Sequence, residues 1–79
     1  MEAVTLDRLR PGQICILQSL SHTGAMRRRL LDLGFQPGCK LRLLWEAPSG
    51  SPMAMLCKGA MIALRREDCR KLLVLPRDE

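Results

Sequence analysis

The stretch GAMRRRLLDLGFQPG, residues 24–38, predicts a short helix with both of its ends marked. Thr23 precedes it and is a residue type that caps helix N-termini. Gly34 can adopt the left-handed conformation that ends a helix, Phe35 can supply the apolar contact beyond it, and the proline that follows prevents continuation. The sequence therefore predicts one well-delimited α-helix at this point of the chain.

The faces of this helix are predicted from its period of 100° per residue. The apolar stripe that we expect to face the core consists of Met26, Leu30 and Leu33. Arg28 and Asp32 lie opposite this stripe, one turn apart, and predict a solvent-exposed ion pair. Leu31 falls beside Arg27 on one flank, so that the flank combines an apolar and a cationic side chain.

Strands are predicted on both sides of the helix. The dipeptide Pro–Gly occurs at residues 11–12 and 37–38 and predicts a type II turn before each of two strands. The first strand, residues 13–20, contains the run ICIL and is expected to be buried on both faces. The second, residues 39–46, alternates, and its expected inward side chains are Cys39, Leu41, Leu43 and Trp45.

The remaining chain predicts further short elements. A single helical turn with Thr5 as its cap precedes the first strand, and residues 53–58 and 60–65 flank Gly59 as a hairpin. REDCRK predicts a short helix and LLVL a last strand. Five short strands with so small a core predict a mainly β fold, a small partly open barrel with one inserted α-helix and a short helical turn before the last strand.

Length and composition limit the function classes. A chain of 79 residues with 47% apolar residues predicts a single domain, residues 1–79, with its core at about residues 5–75. Neither a signal peptide nor an apolar stretch of membrane-spanning length is recognisable, so we expect a cytoplasmic protein without membrane insertion. The net charge of +5 favours an acidic partner, which leaves nucleic acid, an anionic membrane surface and an acidic protein open.

Neither catalysis nor a metal site is predicted. The four cysteines lack ligand spacing and are interpreted as reduced, buried or near-surface thiols. A Cu(I) site of Met53, Met55, Met61 and Cys57 is conceivable, but the alternation of these residues favours core packing. The single histidine, His22, lies in a predicted turn without a recognisable nucleophile and is expected to be solvated. We therefore expect a protein that is not an enzyme and holds no cofactor.

The low aromatic content, 3%, argues against specific nucleic-acid binding, which uses stacking aromatic side chains. It also argues against a groove for proline-rich peptides. What remains is a protein-binding barrel whose surface carries arginine and leucine.

The combined pattern resembles a known family. TLDRLRPG, a strand, TGAMRRRLLDLGFQPG, an apolar strand, a Pro/Gly loop and a hairpin ending in ALRRED resemble FeoA, the small cytoplasmic accessory protein of bacterial ferrous iron transport. The resemblance covers about residues 5–74 and implies an SH3-like β-barrel. It also implies work beside FeoB, the membrane permease that has a cytoplasmic GTP-binding domain. The same barrel occurs in metal-dependent regulators of the DtxR type, and the four cysteines are not part of the family pattern.

The resulting hypothesis is an adaptor that docks on the cytoplasmic GTP-binding region of a FeoB-type permease and modulates Fe²⁺ uptake. Its predicted partner-binding residues are Arg27, Arg28, Arg29 and Leu31. The alternatives are a basic barrel that binds nucleic acid, a metal-regulator-like domain and a small thiolate metal carrier. Self-association stays open, as do the direction of modulation and direct binding of iron.

Overall fold

The computed structural model describes residues 2–77 as one sheet with two helices. A 3-10 turn covers Leu6–Arg8. The strands are β1 (Val4–Thr5), β2 (Ile14–Leu20), β3 (Lys40–Glu46), β4 (Met53–Cys57), β5 (Ala60–Leu64) and β6 (Leu72–Arg77), and the helices are α1 (Gly24–Asp32) and α2 (Arg66–Cys69).

All neighbouring strands are antiparallel, in the order β1-β6-β2-β3-β4-β5. The predicted mainly β, SH3-like class is confirmed, with a sixth strand, β1, that the sequence did not suggest because it has only 2 residues. Within residues 2–77 no strand pairing joins β1 to β5, so the sheet is an open barrel. β5 therefore forms one edge of the sheet.

The predicted turns and the predicted helix end are confirmed. Gly12 and Gly38 each have a φ of +95°, and backbone hydrogen bonds close both turns as a type II turn requires. Gly34 has a φ of +103°, and its amide donates to the carbonyl of Leu31 at 3.0 Å while the amide of Phe35 donates to that of Leu30 at 2.9 Å. This paired bonding ends α1, and the Phe35 side chain is buried beneath it.

The predicted residues occupy the N-cap positions of the helices, but their side chains do not form the capping hydrogen bonds. Thr5 and Thr23 stand at the N-cap positions, and neither side chain forms a capping hydrogen bond. The first turns of α1 are held instead by a tertiary contact, the hydrogen bond from Arg27 to the carbonyl of Leu20.

The predicted apolar stripe of α1 is wrong in one of its three members. Leu30 is fully buried and Met26 is half-buried, but Leu33 is 38% exposed. Leu31 packs against the core in its place. The helix is therefore rotated about its axis towards Leu31, because contact with the sheet, which periodicity alone does not define, decides which flank is buried.

Strand β3 also departs from the simple alternation. Leu41 and Leu43 are buried as predicted, but Trp45 is 42% exposed. The register between β3 and β4 shifts between Leu43 and Trp45, so Leu44 is an extra residue, a β-bulge. The bulge reverses the expected direction of Trp45 and turns it to the outer face.

The core contains the predicted apolar side chains of the sheet. In β2, Ile14, Cys15 and Leu17 are buried, which confirms the near-continuous burial of ICIL. The hairpin of β4 and β5 turns at residues 58–59, and it buries Met53, Met55 and Cys57 on one face. Met61 pairs with Leu56 on the opposite face, so the four sulfur side chains considered for Cu(I) do not converge.

Candidate protein-docking surfaces

The two flank residues of the predicted site connect α1 to the body of the domain. One guanidinium nitrogen of Arg27, Nη1, donates to the carbonyl of Leu20 at the end of β2, with a distance of 2.7 Å. Leu31 is half-buried against the core. Both side chains therefore position the helix, although Arg27 as a whole remains exposed.

The other two predicted residues, Arg28 and Arg29, lie on the outward side of α1 and are exposed. Within residues 2–77 neither guanidinium forms a hydrogen bond or an ion pair, so the predicted pair of Arg28 with Asp32 is absent there. Exposed Leu33 follows on the same side of the helix. The outward face of α1 thus combines two unpaired cations with an exposed leucine.

A groove of about 380 Å³ runs beside this face. Met26 and Arg29 form its α1 wall, Ala63 and Leu64 its β5 wall, and Glu67 and Asp68 of α2 its end. Sequence reasoning missed this groove because its walls come from three elements far apart in the chain. The groove places Arg29 at a concave surface suited to a protein contact.

A second groove, of about 370 Å³, lies on the outer face of β3 and β4. Its lining residues are Lys40, Arg42, Leu56, Lys58 and Gly59. Among residues 2–77 no acidic side chain lines it, and Arg42 and Lys58 contribute positive charge. This groove was also absent from the sequence-based expectations, since it depends on which β3 and β4 residues share the outer face.

Arg66 connects three segments near the end of β5. Its Nη1 donates to the carbonyl of Gly50 at 2.9 Å and to the carboxylate of Glu46 at 3.1 Å, and its Nη2 donates to the carbonyl of Asp7 at 2.9 Å. The backbone amide of the same residue donates to the hydroxyl of Ser51. Arg66 therefore joins α2 to the 3-10 turn and to the Pro/Gly loop, which gives it a structural role.

The expectation of a solvated His22 is wrong, because the residue is only 3% exposed. Its Nε2 donates to the carbonyl of Asp68 at 2.9 Å, and the carboxylate of Asp68 lies 3.9 Å from the same nitrogen. Nδ1 is buried without a hydrogen-bond partner among the described residues. His22 thus links the loop before α1 to α2.

The cysteines are free thiols, and three of the four are buried. Burial raises the pKa of Cys15 and of Cys69 to about 12, and it raises the pKa of Cys57, with the neighbouring Cys39 as a further cause. Thiols with raised pKa values are protonated at neutral pH and are poor nucleophiles and poor metal ligands. The buried cysteines therefore act as small core side chains.

Residues 2–77 contain neither a cluster of metal-ligating side chains nor a membrane-spanning helix. Across residues 2–77, histidine, cysteine, aspartate and glutamate side chains form no cluster of three or more that is suited to a metal ion. In the same part of the chain, neither helix has the length and apolar character needed to cross a bilayer.

Comparison with known proteins identifies a family. The profile of the FeoA domain matches residues 4–76. The FeoA protein of Chlorobium tepidum is 34% identical in sequence, and its structure superposes with a TM-score of 0.88 over 92% of this chain and 70% of that protein. The comparison with curated proteins gave no significant match.

Two further solved structures are informative. A FeoA from Stenotrophomonas maltophilia, solved in complex with zinc and described as a prokaryotic SH3 domain protein, is 28% identical, with a TM-score of 0.78 over 90% of this chain and 88% of that one. A manganese-dependent transcriptional repressor is 19% identical and superposes with a TM-score of 0.85 over 98% of this chain and 38% of that protein. At that identity the repressor shares the fold alone.

Proposed function

The chain belongs to the FeoA family, and from that premise we propose that it docks on the cytoplasmic GTP-binding region of a FeoB-type permease and modulates Fe²⁺ uptake. Members of this family are accessory proteins of ferrous iron transport, and a cytoplasmic location is part of the proposal. The docking residues proposed are Arg27, Arg28, Arg29 and Leu31, which divide into two roles.

Arg28 and Arg29 are the contact residues of the proposal. Their guanidinium groups are exposed on the outward face of α1 and unpaired within residues 2–77, so contact with acidic side chains would form new charge-assisted hydrogen bonds without breaking existing ones. This is the observation that carries the proposal. Leu33 and the neighbouring groove supply apolar and concave surface beside them.

Arg27 and Leu31 support the contact by holding the helix. The bond from Arg27 to the Leu20 carbonyl and the packing of Leu31 on the core keep α1 in a fixed rotation relative to the sheet. A fixed rotation keeps both contact arginines on the outside, which lowers the entropic cost of binding.

The test is titration of the purified cytoplasmic domain of the permease with this protein, with and without GTP. Replacing Arg28→Glu together with Arg29→Glu should weaken binding by about 2 kcal/mol or more, roughly thirtyfold, and leave the melting temperature nearly unchanged. The matched control is Arg10→Glu with Arg77→Glu, which changes the net charge equally. Both control residues are exposed near the start of β2, at the opposite end of that strand from α1.

The control double variant should bind nearly as the unmodified protein does. Equal losses in both double variants would mean that only overall charge matters, and unchanged binding of the α1 variant would place the docking surface elsewhere. Either result would remove the proposal.

A further inference from the structure

We propose that the outer face of β3, β4 and β5 is a second binding surface, which takes an acidic, extended peptide segment with apolar side chains. The patch consists of the cations Lys40, Arg42 and Lys58 and the apolar side chains Trp45, Leu56 and Met61. We refer to these six residues as the outer-face patch. It is separate from the α1 residues of the proposed function and does not depend on them.

The strand register brings the patch together. Arg42 pairs with Leu56, and Leu56 pairs with Met61, so one row across three strands reads cation, leucine, methionine. Directly paired residues of an antiparallel sheet lie on the same face, so these side chains are neighbours. Trp45 pairs with Ala54 in the next row, and the bulge at Leu44 turns it to this face.

The apolar part of the patch is unusual for a solvent-facing surface. Leu56 is 37% exposed, Trp45 42% and Met61 61%, and they are three of the five large hydrophobic side chains that are exposed within residues 2–77. Tryptophan, methionine and arginine are enriched in protein interfaces, and methionine adapts to partners of varied shape. Such concentration on one face marks a contact surface.

The cationic part defines the occupant. Lys40, Arg42 and Lys58 line a groove of about 370 Å³ together with Leu56, and among the described residues no acid lines that groove. A partner that buries the leucine must therefore also approach the positive charges of Arg42 and Lys58. An acidic segment does so favourably, whereas a neutral or basic one does not.

The shape favours an extended segment over a helix or a nucleic acid. Within residues 2–77 β5 is an edge strand, its first residues Ala60 and Met61 are exposed and do not line the α1 groove, and an extended chain can pair with such an edge. Single-stranded nucleic acid would require several stacking aromatic side chains, and the patch contains one, Trp45.

The protein contains one tryptophan, and it lies in the patch, so its fluorescence reports binding at this site. The probe is a display library of random twelve-residue peptides, selected on the full chain. We expect enrichment of sequences rich in glutamate or aspartate with interspersed leucine or phenylalanine. The enriched peptide, synthesised and titrated, should change Trp45 emission, and a glutamine-for-glutamate version of it should bind about tenfold more weakly or worse.

Two surface variants localise the site. Arg42→Glu and Leu56→Ser should each weaken peptide binding by about tenfold or more, and both replaced side chains are exposed, so both variants should fold. Arg10→Glu is the matched charge control and should bind normally. Arg28→Glu with Arg29→Glu should also bind the peptide normally, so that failure at this patch and failure at α1 are distinguishable.

A single-stranded oligonucleotide of the same charge as the peptide tests the alternative that the patch is a general polyanion site. Tighter binding of the oligonucleotide than of the peptide, lost on Arg42→Glu, would overturn the proposal in favour of a polyanion site. Absence of enrichment, or enrichment that Leu56→Ser does not affect, would also overturn it.

Discussion

Replacement of Arg66 by methionine should destabilise the fold by about 2–3 kcal/mol. Methionine keeps most of the aliphatic stem, so the change removes mainly the guanidinium bonds. The two bonds to the carbonyls of Gly50 and Asp7, each 2.9 Å long, contribute about 1 kcal/mol each, because the donor is charged but the side chain is 32% exposed. The pair with Glu46 at 3.1 Å adds at most about 1 kcal/mol, since it is half-exposed and screened.

The matched control is the preceding residue, Arg65→Met. The Arg65 side chain is 79% exposed, and its single ion pair, with Glu67 at 3.6 Å, is on the surface, so its loss should change stability by less than about 0.5 kcal/mol. The expected loss of stability thus differs several-fold between two adjacent arginines, because their side chains have different partners.

The assay is urea unfolding followed by circular dichroism and by Trp45 fluorescence. The slope of the free energy of unfolding against urea concentration is compared between variants, because equal slopes mean that only stability has changed. In a thermal scan the Arg66 variant should melt about 10–20 °C below the parent. A loss under about 1 kcal/mol, or a loss equal to that of the Arg65 control, would refute the reasoning. It would mean that the 3-10 turn and the Pro/Gly loop are held by the remaining contacts.

Three further perturbations follow from the same structure. Burial raises the pKa of Cys15 and of Cys69 from 9.0 to about 12, so the unfolded chain loses these two protons at lower pH than the folded protein does. The free energy of unfolding should therefore fall between pH 9 and pH 11, by up to ~1.4 kcal/mol per pH unit for each thiol. Cys15→Ala should reduce that slope in urea titrations, and an unchanged slope would contradict the cause. Leu31→Ser should lower the free energy of unfolding by about 1–3 kcal/mol and Leu33→Ser by less than about 1 kcal/mol, because only Leu31 packs on the core. The reverse order in melting experiments would mean that Leu33 faces the core, as the helical period predicts. Gly34→Ala should cost about 1–2 kcal/mol, since φ is +103° and a Cβ would lie 3.0 Å from the Lys58 Cδ, and an equally stable variant would show that the helix end tolerates a side chain.

The sequence by itself determined the elements that depend on neighbours in the chain. The end of α1 at Gly34, both Pro–Gly turns and the hairpin at residues 58–59 follow from φ preferences and from hydrogen bonds spanning a few residues. The mainly β class followed from these elements together with the short apolar runs, and the family followed from their order along almost the whole chain.

Tertiary structure decided what depends on contacts between distant segments. The rotation of α1, which buries Leu31 and exposes Leu33, is set by packing on the sheet, since both leucines flank the same apolar centre of the helix. His22 is buried because the carbonyl of Asp68, 46 residues later, comes to its ring. The β-bulge at Leu44 turns Trp45 outward, because one extra residue in a strand of period two reverses the faces beyond it, and only the pairing with β4 reveals that residue.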